Sequence, residues 1–467
     1  MDFPIFHLDL FGNRMLIAVI AILHVIINHG LAVGLAPIIT AMEWYGFKTK
    51  QEKFDKLAYK LMFVAFVITT TVGALTGVGI WFSVALVNPY SISSLIRVFF
   101  WAWFVEWIVF VTEVCLILAY FLTWKNAKTD EQKKKHIWLG VALSVFSWIT
   151  MAIIVAILGF MMDPGNWLTN RGLLTAIMNP LYLPQLGFRT CLAIFEASAI
   201  LMFLSIIFTK KDIELRKEIL RMLGLWMTFW APICLAFGWW YYSRVPVFMK
   251  ENVPLALIAS DFGGWQEKLL LIIKITVVVF LLLAQLLILV PQRIPAWLAI
   301  LPMFLIMWLT GHFERVREFI RKPYIIGQYM YANGMRVEDY PLLQKDGMLA
   351  HATFSHPLTD EEKEGVSEEI FSKMQDGKDV FLIACSRCHT INGTSSVIKK
   401  FDKLMNNGPW DEANITNYIQ TVHDIQQFMP PFPGTAVEAE AMTTYLVNIK
   451  KNGAQVSGAQ SGGIKKR

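Results

Sequence analysis

The chain has 467 residues and a mean hydropathy of +0.48; 55% of its residues are hydrophobic and only 17% are charged. Soluble globular domains carry about 25% charged residues, so this composition excludes an ordinary soluble protein and is typical of one that crosses a membrane several times. The net charge of +6 is unevenly distributed along the chain, and we expect no nucleic-acid partner.

Eight windows are apolar over the roughly 20 residues that a helix needs to cross a bilayer. No basic start and no small-residue cleavage site precede the first window, so we expect it to remain as a membrane anchor. The fold predicted for residues 1–335 is therefore all-α, an eight-span transmembrane helical bundle. The windows are centred on residues 15–42, 57–87, 95–124, 137–162, 186–208, 219–242, 267–290 and 294–312.

Lysine and arginine alternate sharply between successive loops. Loops 46–60, 125–136 and 209–221 each contain five of these residues. The intervening loops 88–94, 163–184 and 243–265 contain none, one and two. Because loops rich in lysine and arginine stay in the cytoplasm, the N-terminus is predicted to lie outside. Eight crossings then return the chain to the outer side of the membrane.

Two histidines lie in the first predicted span. His24 and His29 are five residues apart, so their side chains project roughly 140° apart around a helix and do not bind one metal together. Imidazole side chains at membrane depth are costly and usually face a site. From the residues alone, His24 is either a haem axial ligand or a hydrogen-bonding partner of a neighbouring helix.

Two acids lie in the third predicted span. Glu106 and Glu113 are seven residues apart, so they share one helix face about 10 Å apart along the axis. Paired acids that face the interior of a bundle suit a proton relay to buried redox chemistry. The alternative is a structural ion pair with Arg97, Lys274 or Arg189.

A charged run, 312–324, follows the eighth window and contains Glu314, Glu318 and several basic residues. One interpretation is a charged helix end, with Pro323 as the stop. The other is a haem site, because a carboxylate beside arginines can hold an anionic iron ligand together with haem propionates.

Residues 336–360 are predicted to be an extracytoplasmic linker. Its two histidines, His351 and His356, are interpreted as surface or linker histidines in preference to ligands. The last segment, 452–467, is rich in glycine, serine, alanine and lysine and is predicted to be disordered.

The motif Cys385-Ser386-Arg387-Cys388-His389 lies in the predicted soluble part. Two thiols three positions apart can add to the vinyl groups of one haem, and the adjacent histidine supplies an axial nitrogen to the iron. No second cysteine pair follows, so a zinc site is disfavoured. Met429, which begins the proline-rich segment 429–434, is the predicted sixth ligand. The sequence therefore predicts a covalently bound haem c.

Residues 361–451 are predicted to form a small α-helical cytochrome c domain, with helices around 366–384 and 435–450. Haem of the c type is attached outside the cytoplasm. The motif thus falls on the side of the membrane where the lysine and arginine counts independently place the C-terminal part.

The membrane part resembles subunit I of the cytochrome bd oxidases over roughly residues 12–335. Each matching fragment is short, but their order and spacing together are fairly specific. In chain order they are Leu23-His24 with Gly30 to Leu35, Met42-Glu43, the Val-Gly-Ala-Leu-Thr-Gly run at 72–77, Glu106 with Glu113 and Trp124, the Gly-Phe-Met-Met-Asp-Pro run at 159–164, Asn179-Pro180, and Glu-Phe-Ile-Arg-Lys-Pro-Tyr at 318–324.

This resemblance implies two membrane haems of the b or d type near the outer face. By the resemblance, His24 and Glu318 are axial ligands of the haem pair that reduces oxygen. Arg321 supports the haem beside Glu318, and Glu106 and Glu113 lie on the proton route from the cytoplasm.

Three departures from the family are visible. The run Phe188-Arg189-Thr190 stands where the family has the histidine of its low-spin haem, and Leu270 stands where it has the partner methionine. The outer loop that helps to bind quinol is reduced to about residues 243–265, and the cytochrome c domain replaces the family's ninth span. These changes predict that electrons enter from an external donor through haem c, not from quinol.

The predicted function is that of a haem subunit of a bd-like terminal reductase that reduces oxygen, with nitric oxide as a substitute substrate. The alternative is an electron-relay or scaffold subunit of a larger respiratory complex; retained quinol oxidation ranks last. The resemblance implies a second, similarly folded membrane subunit as partner. A soluble or membrane-attached protein is the expected electron donor, and the bacterial cytoplasmic membrane is the expected location.

Overall fold

The computed structural model describes residues 3–258, 269–452 and 465–466 and is mostly helical. The chain divides into two compact units. The bundle unit contains Ile20–Gly79 and Ile96–Glu318. The terminal unit contains Met1–Val19, Ile80–Leu95 and Phe319–Arg467, and we name it so because it includes both chain ends. The predicted domain boundaries at residues 335, 360 and 451 do not coincide with the boundaries of these two units. They remain predictions.

In the described residues, the predicted membrane part contains fifteen α-helices. They are α1 Asn13–Ile27, α2 Leu35–Thr49, α3 Glu52–Ile68, α4 Ala74–Val87, α5 Pro89–Val98, α6 Phe100–Thr123, α7 Asp130–Met162, α8 Trp167–Asn170, α9 Leu173–Ile177, α10 Tyr182–Phe208, α11 Ile213–Arg244, α12 Val247–Glu251, α13 Val253–Ile258, α14 Leu269–Leu289 and α15 Ala296–Ile320. Two short 3-10 turns, Trp124–Asn126 and Pro291–Arg293, follow α6 and α14.

Seven of the described helical stretches are long and apolar enough to cross a membrane, which confirms a multi-pass membrane protein. The eighth predicted span, 294–312, coincides with α15 but is not among these seven, so the eighth crossing remains a prediction. The seven are Asn13–Thr49, Glu52–Val87, Phe100–Asn126, Asp130–Met162, Tyr182–Phe208, Ile213–Arg244 and Leu271–Leu289.

The first two spans are interrupted by π-helical turns, Asn28–Val33 and Thr69–Gly73. A π turn accommodates an extra residue within a helix and often marks a functional site. In the second span, the hydroxyls of Thr69, Thr70 and Thr71 donate to the carbonyls of residues one turn earlier, at 2.8, 2.6 and 2.5 Å. Such bonds compete with the regular helical pattern and accompany the local distortion.

Helix α10 lies at the centre of the bundle unit, because 78% of its apolar window is buried. A helix that is apolar all round has to be surrounded by other helices. The first span approaches α10 closely at Gly34, where an added Cβ would lie 2.2 Å from the carbonyl oxygen of Ala193. Only glycine allows this contact between the two backbones.

A buried ionic cluster joins α2, α6 and α7. Glu43 is fully buried and accepts hydrogen bonds from the Tyr120 hydroxyl at 2.7 Å, the Lys133 ammonium at 2.7 Å and His136 Nδ1 at 2.6 Å. The other ring nitrogen, Nε2 of His136, lies 2.8 Å from the Tyr120 carbonyl oxygen. Both ring nitrogens of His136 thus face oxygen atoms of the protein. The cluster therefore offsets the cost of burying the carboxylate.

The terminal unit contains seven further helices and two small antiparallel sheets in the described residues. The helices are α16 Tyr340–Asp346, α17 Asp360–Lys363, α18 Glu368–Ala384, α19 Val397–Leu404, α20 Glu412–Gln420, α21 Val422–Ile425 and α22 Ala436–Asn452. Strand β1 Tyr324–Ile326 pairs with β2 Met330–Tyr331, and β3 Phe354–Ser355 pairs with β4 Lys465–Lys466. The two remaining 3-10 turns are Val337–Asp339 and Leu349–His351.

The core of the terminal unit forms where α18 crosses α22. An added Cβ at Gly377 would lie 2.0 Å from the Ala441 carbonyl oxygen, so the two helix backbones touch there. Residues of the predicted linker complete this core, including Tyr340, Leu343 and Leu358. The linker is therefore a folded part of the unit, because its apolar side chains are buried. Most of the predicted disordered tail, 453–464 and residue 467, lies outside the described residues.

A fully buried carboxylate holds three segments of the terminal unit together. Glu362 accepts a hydrogen bond of 2.6 Å from the Lys378 ammonium of α18 and another of 2.6 Å from the Tyr445 hydroxyl of α22. Glu362 also closes a capping box with Thr359 at the start of α17. Both carboxylate oxygens thus have donors from different helices.

Replacing Glu362 with alanine would leave Lys378 buried without its carboxylate, which typically costs about 3–5 kcal/mol. We expect the terminal unit to lose unfolding free energy of this order, measured by native-state hydrogen exchange of the α22 amides in detergent-solubilised protein. Glu361→Ala, at the exposed neighbouring position, is the control and should change the free energy by less than about 0.5 kcal/mol. Equal α22 protection in both variants would contradict this account.

Candidate haem sites

The cysteine motif lies at the C-terminal end of α18. Cys385 follows the last helical residue, and its carbonyl accepts hydrogen bonds from the N–H groups of Cys388 at 3.1 Å and His389 at 2.9 Å. This tight turn places both thiols and the imidazole at one helix end. Neither thiol is in a disulfide, so both are available for thioether formation with a haem.

The ring of His389 is oriented for iron binding through one nitrogen. Its Nδ1 lies 3.2 Å from the carbonyl oxygen of Ser395 and donates a hydrogen bond to it. This bond fixes the tautomer and leaves the lone pair on Nε2. Burial lowers the pKa of His389 to about 3, so the imidazole is neutral. The residue fits an axial ligand of haem c.

Met429 lies in the proline-rich loop after α21. The Met429 carbonyl oxygen accepts a hydrogen bond of 2.6 Å from Nδ1 of His423, and the Met429 N–H donates to the Gln426 carbonyl at 2.8 Å. These two bonds hold the loop backbone at Met429, and proline residues follow it directly. The structure thus explains how the loop is held, while the ligand role of Met429 stays a prediction.

Cationic side chains that sequence reasoning did not assign to haem c lie close to the motif. Arg387 is buried, and its Nε has no hydrogen-bond partner among the described residues. Burial, together with the nearby charge of Arg14, lowers the pKa of Lys322 to about 8. Buried cations of this kind fit the carboxylates of haem propionates.

His24 is hydrogen-bonded in the way that an iron ligand requires. Its Nδ1 lies 3.1 Å from the Thr76 hydroxyl oxygen, and that hydroxyl donates its own proton to the Val72 carbonyl at 2.7 Å. Nδ1 of His24 is therefore the donor, and Nε2 keeps its lone pair. The ring also packs against Gly77, where an added Cβ would lie 3.1 Å from Cε1 of His24. The side chain fits a haem ligand within the bundle unit.

His29 belongs to a different cluster, in which both of its ring nitrogens face protein groups. Its Nδ1 donates to the Val25 carbonyl at 2.9 Å, and its Nε2 lies 3.4 Å from the Arg189 guanidinium. Arg189 in turn binds Glu314 Oε1 at 2.5 Å, and Arg317 binds Glu314 Oε2 at 3.0 Å. His24 and His29 thus do not share a metal site, in agreement with their helical spacing.

The remaining predicted ligand, Glu318, is half-buried one turn after Glu314 on α15. Arg321, just beyond the helix end, is buried and donates from Nη1 to the Ile325 carbonyl at 3.0 Å. Both oxygens of Glu314 are occupied by arginines, so Glu314 is a structural ion-pair residue. The axial role of Glu318 and the supporting role of Arg321 stay predictions.

The surroundings of Arg189 do not fit the low-spin haem of the resembled family. The Phe188 ring lies 6.2 Å from the stacked Tyr241 ring and 5.2 Å from the Phe313 ring. At Gly187 an added Cβ would lie only 2.1 Å from Cδ1 of Phe237. Aromatic side chains therefore fill this part of the bundle unit. Residues 265–268 of the seventh span lie outside the described residues, as does the Leu270 side chain.

Glu113 is joined to α7 by hydroxyl groups. It accepts hydrogen bonds from Ser147 Oγ at 2.7 Å and from Thr150 Oγ1 at 3.0 Å. Arg189, one of the three cations considered as ion-pair partners, is engaged by Glu314 instead. Sequence reasoning missed both hydroxyl residues. The signal that could have identified them is the presence of two hydroxyl side chains three residues apart within an apolar window. Glu106 is half-buried on α6, seven residues earlier.

Comparisons with known proteins match two parts of the chain. Residues 13–186 match the family Cytochrome bd terminal oxidase subunit I, and residues 372–446 match the family Cytochrome C oxidase, cbb3-type, subunit III. No curated protein sequence matches significantly. Among solved structures, "The structure of bd oxidase from Geobacillus thermodenitrificans" matches with a TM-score of 0.57 at 15% identity, over 73% of this chain and 95% of that chain. At 15% sequence identity, this structural similarity shows the fold alone.

The first matched region contains His24, Glu106 and Glu113, and the second contains Cys385, Cys388 and His389. The predicted all-α architecture and the predicted resemblance are both confirmed. The chain is thus similar to subunit I of the cytochrome bd oxidases over residues 13–186 and to a cytochrome c family over residues 372–446.

Proposed function

We propose that this chain is the haem-bearing subunit of a bd-like respiratory terminal reductase that takes electrons through its cytochrome c domain and reduces oxygen at a membrane haem pair. The observation that carries the proposal is that Arg189 and packed aromatic rings lie where the resembled family holds its low-spin haem, in a chain that carries a haem c motif. The matched families support haem-based respiratory electron transfer and an oxidoreductase.

The terminal unit would hold the electron entry point. Cys385 and Cys388 would attach haem c, and His389 and Met429 would be its axial ligands. The hydrogen bond from His389 Nδ1 to Ser395 supports this assignment, because it leaves Nε2 for the iron. The buried cation Arg387 would offset propionate charge.

The bundle unit would hold two haems of the b or d type. His24 and Glu318 would be their axial ligands, and Arg321 would support the haem next to Glu318. When bound, these haems supply stored electrons and an iron that binds oxygen. The bond between His24 and Thr76 supports the assignment, because it holds the ring with Nε2 unprotonated.

Protons for oxygen reduction would come from the cytoplasm through Glu113 and Glu106. Glu113 is partly removed from water and is bonded to two neutral hydroxyls, not to a cation. Because a cationic partner would favour only the charged form, this setting lets the carboxyl group both take up and release a proton. Glu106, on the same helix, would be the next proton carrier.

The proposed location is the bacterial cytoplasmic membrane, with the N-terminus and the cytochrome c domain outside. The three lysine-rich loops support this orientation. The proposed partners are a second bd-like membrane subunit and an external electron-donor protein. Two alternatives for the activity are an electron relay within a larger complex and reduction of nitric oxide.

The first prediction concerns the membrane haem ligands. Reduced membranes should contain a high-spin haem whose spectrum changes with carbon monoxide, and His24→Ala and Glu318→Ala should each abolish that change, since the iron site loses its axial ligand. His29→Gln is the control, because both ring nitrogens of His29 already have protein partners.

The carbon monoxide measurement also separates the two leading functions. If all haem in the wild-type protein is six-coordinate and indifferent to carbon monoxide, the relay alternative holds. If His29→Gln loses the signal while His24→Ala keeps it, the ligand assignment is wrong.

The second prediction concerns proton supply. Glu113→Gln keeps the hydrogen-bonding shape but cannot ionise, so we expect oxygen reduction to slow by roughly 100-fold. Reduction of haem c by the donor should be unchanged, as measured by stopped-flow absorbance. Glu131→Gln, at an exposed position in the first turn of α7, is the control. Wild-type turnover in Glu113→Gln would exclude the proposed route.

The third prediction concerns the number of haems. We expect two non-covalent haems for each covalent haem c in purified protein, measured by pyridine haemochrome spectra before and after acid–acetone extraction. The aromatic rings packed around Arg189 support this number. A third extractable haem per chain would contradict the proposed electron path.

A further inference from the structure

The N-terminal segment lies against the loop that follows the haem c motif, within the terminal unit. The N–H of Thr394 donates to the Leu10 carbonyl oxygen at 3.1 Å. At Gly393 an added Cβ would lie 1.9 Å from the Asp9 carbonyl oxygen and 2.4 Å from that of Leu10. The loop and the segment therefore touch backbone to backbone, and glycine at 393 is required for this contact.

The side chain of Asp9 binds the same loop. Its Oδ1 accepts the N–H of Ile391 at 2.5 Å, and its Oδ2 accepts the N–H of Asn392 at 3.1 Å. Asp9 is only 2% exposed, and Nε2 of His7 lies 3.3 Å from Oδ1. Hydrogen bonds to a buried carboxylate are roughly twice as strong as those between neutral groups, so Asp9 fixes the start of the loop firmly.

The loop transmits this constraint to the iron-binding histidine. The Ser396 hydroxyl donates to the Ile391 carbonyl at 2.6 Å, and the N–H of Val397 donates to the Thr390 carbonyl at 2.8 Å. The loop is thus closed on itself, and Ser395 lies inside the closed turn. Its carbonyl oxygen receives the hydrogen bond from His389 Nδ1. A displacement at Ile391 would therefore shift the acceptor that orients His389.

Two further contacts hold the N-terminal segment in place. Asn13 donates from Nδ2 to the Ser386 carbonyl at 3.3 Å, within the cysteine motif. The N–H of Ile5 donates to Nε2 of His356 at 3.2 Å, while Nδ1 of His356 binds Asp379 at 3.0 Å. His356 is buried, so of the two interpretations the linker histidine fits and the surface histidine does not.

We propose that Asp9 is a positioning residue for the haem c axial ligand, acting through loop 390–396 and the Ser395 carbonyl on His389. The inference rests on the proposed function only in that haem c binds at His389. A hydrogen bond from the second ring nitrogen raises the basicity of a ligating imidazole and favours the oxidised iron. Loosening that bond by removing Asp9 should raise the midpoint potential of haem c.

The experiment is a redox titration of haem c, followed by its reduced absorption band, on the purified full-length protein. Asp9→Ala removes both acceptors and should give the larger upward shift of the potential. Asp9→Asn keeps one acceptor oxygen and should give a smaller shift. Gly393→Ala pushes the segment away without changing charge and should also raise the potential. Glu369→Ala, an exposed acid at the start of α18, is the control and should match the wild type.

Haem staining of denatured protein shows whether each variant carries covalent haem. If Asp9→Ala accumulates without haem, the comparison of Asp9→Asn and Gly393→Ala with the wild type decides the question by the same titration. Wild-type potentials in the Asp9 variants and in Gly393→Ala would overturn the inference. Absence of covalent haem from the wild-type protein would instead overturn the proposed function, so the two failures are distinguishable.

Discussion

A carboxylate that is removed from water has to be met by donors that replace the water, because an unpaired buried charge costs several kcal/mol. This constraint recurs through both units. Glu43 is met by donors from two other spans, Glu314 by two arginines, and Glu362 by donors from two helices. Each of the three carboxylates has at least one donor that is distant in sequence, namely Tyr120 for Glu43, Arg189 for Glu314 and Tyr445 for Glu362, so these pairings specify which segments meet.

Glu113 differs from these three residues in the kind of donor it has. Its partners are the hydroxyls of Ser147 and Thr150, which carry no charge and can rotate. A carboxylate held by arginines is locked in its charged form, whereas one held by hydroxyls can change its protonation state at lower cost. The structure thus distinguishes glutamates that are held by charged donors from one that is held by neutral hydroxyls.

Much of the architecture followed from local features of the sequence. Long apolar windows predicted the spans because a helix in lipid must satisfy its own backbone and present apolar side chains. The Cys385-Ser386-Arg387-Cys388-His389 spacing predicted haem attachment because the chemistry needs those groups within one turn. The ion pair of Arg189 with Glu314 and the cluster of Glu43 with His136 could not be predicted, since their partners lie more than 90 residues apart. The contacts of Asp9 could not be predicted either, because it binds backbone N–H groups that no sequence pattern identifies.

The contact between Asp9 and Ile391 joins residues 382 positions apart. During synthesis, the N-terminal segment emerges first, but the loop it binds is made only after every predicted span. The segment therefore has no loop to bind while the bundle inserts. The contact forms late, because it has to bring together residues that are 382 positions apart. Docking of the N-terminal segment in this way waits for synthesis of residues 391–394, and a chain truncated before this loop would lack the site that the segment binds.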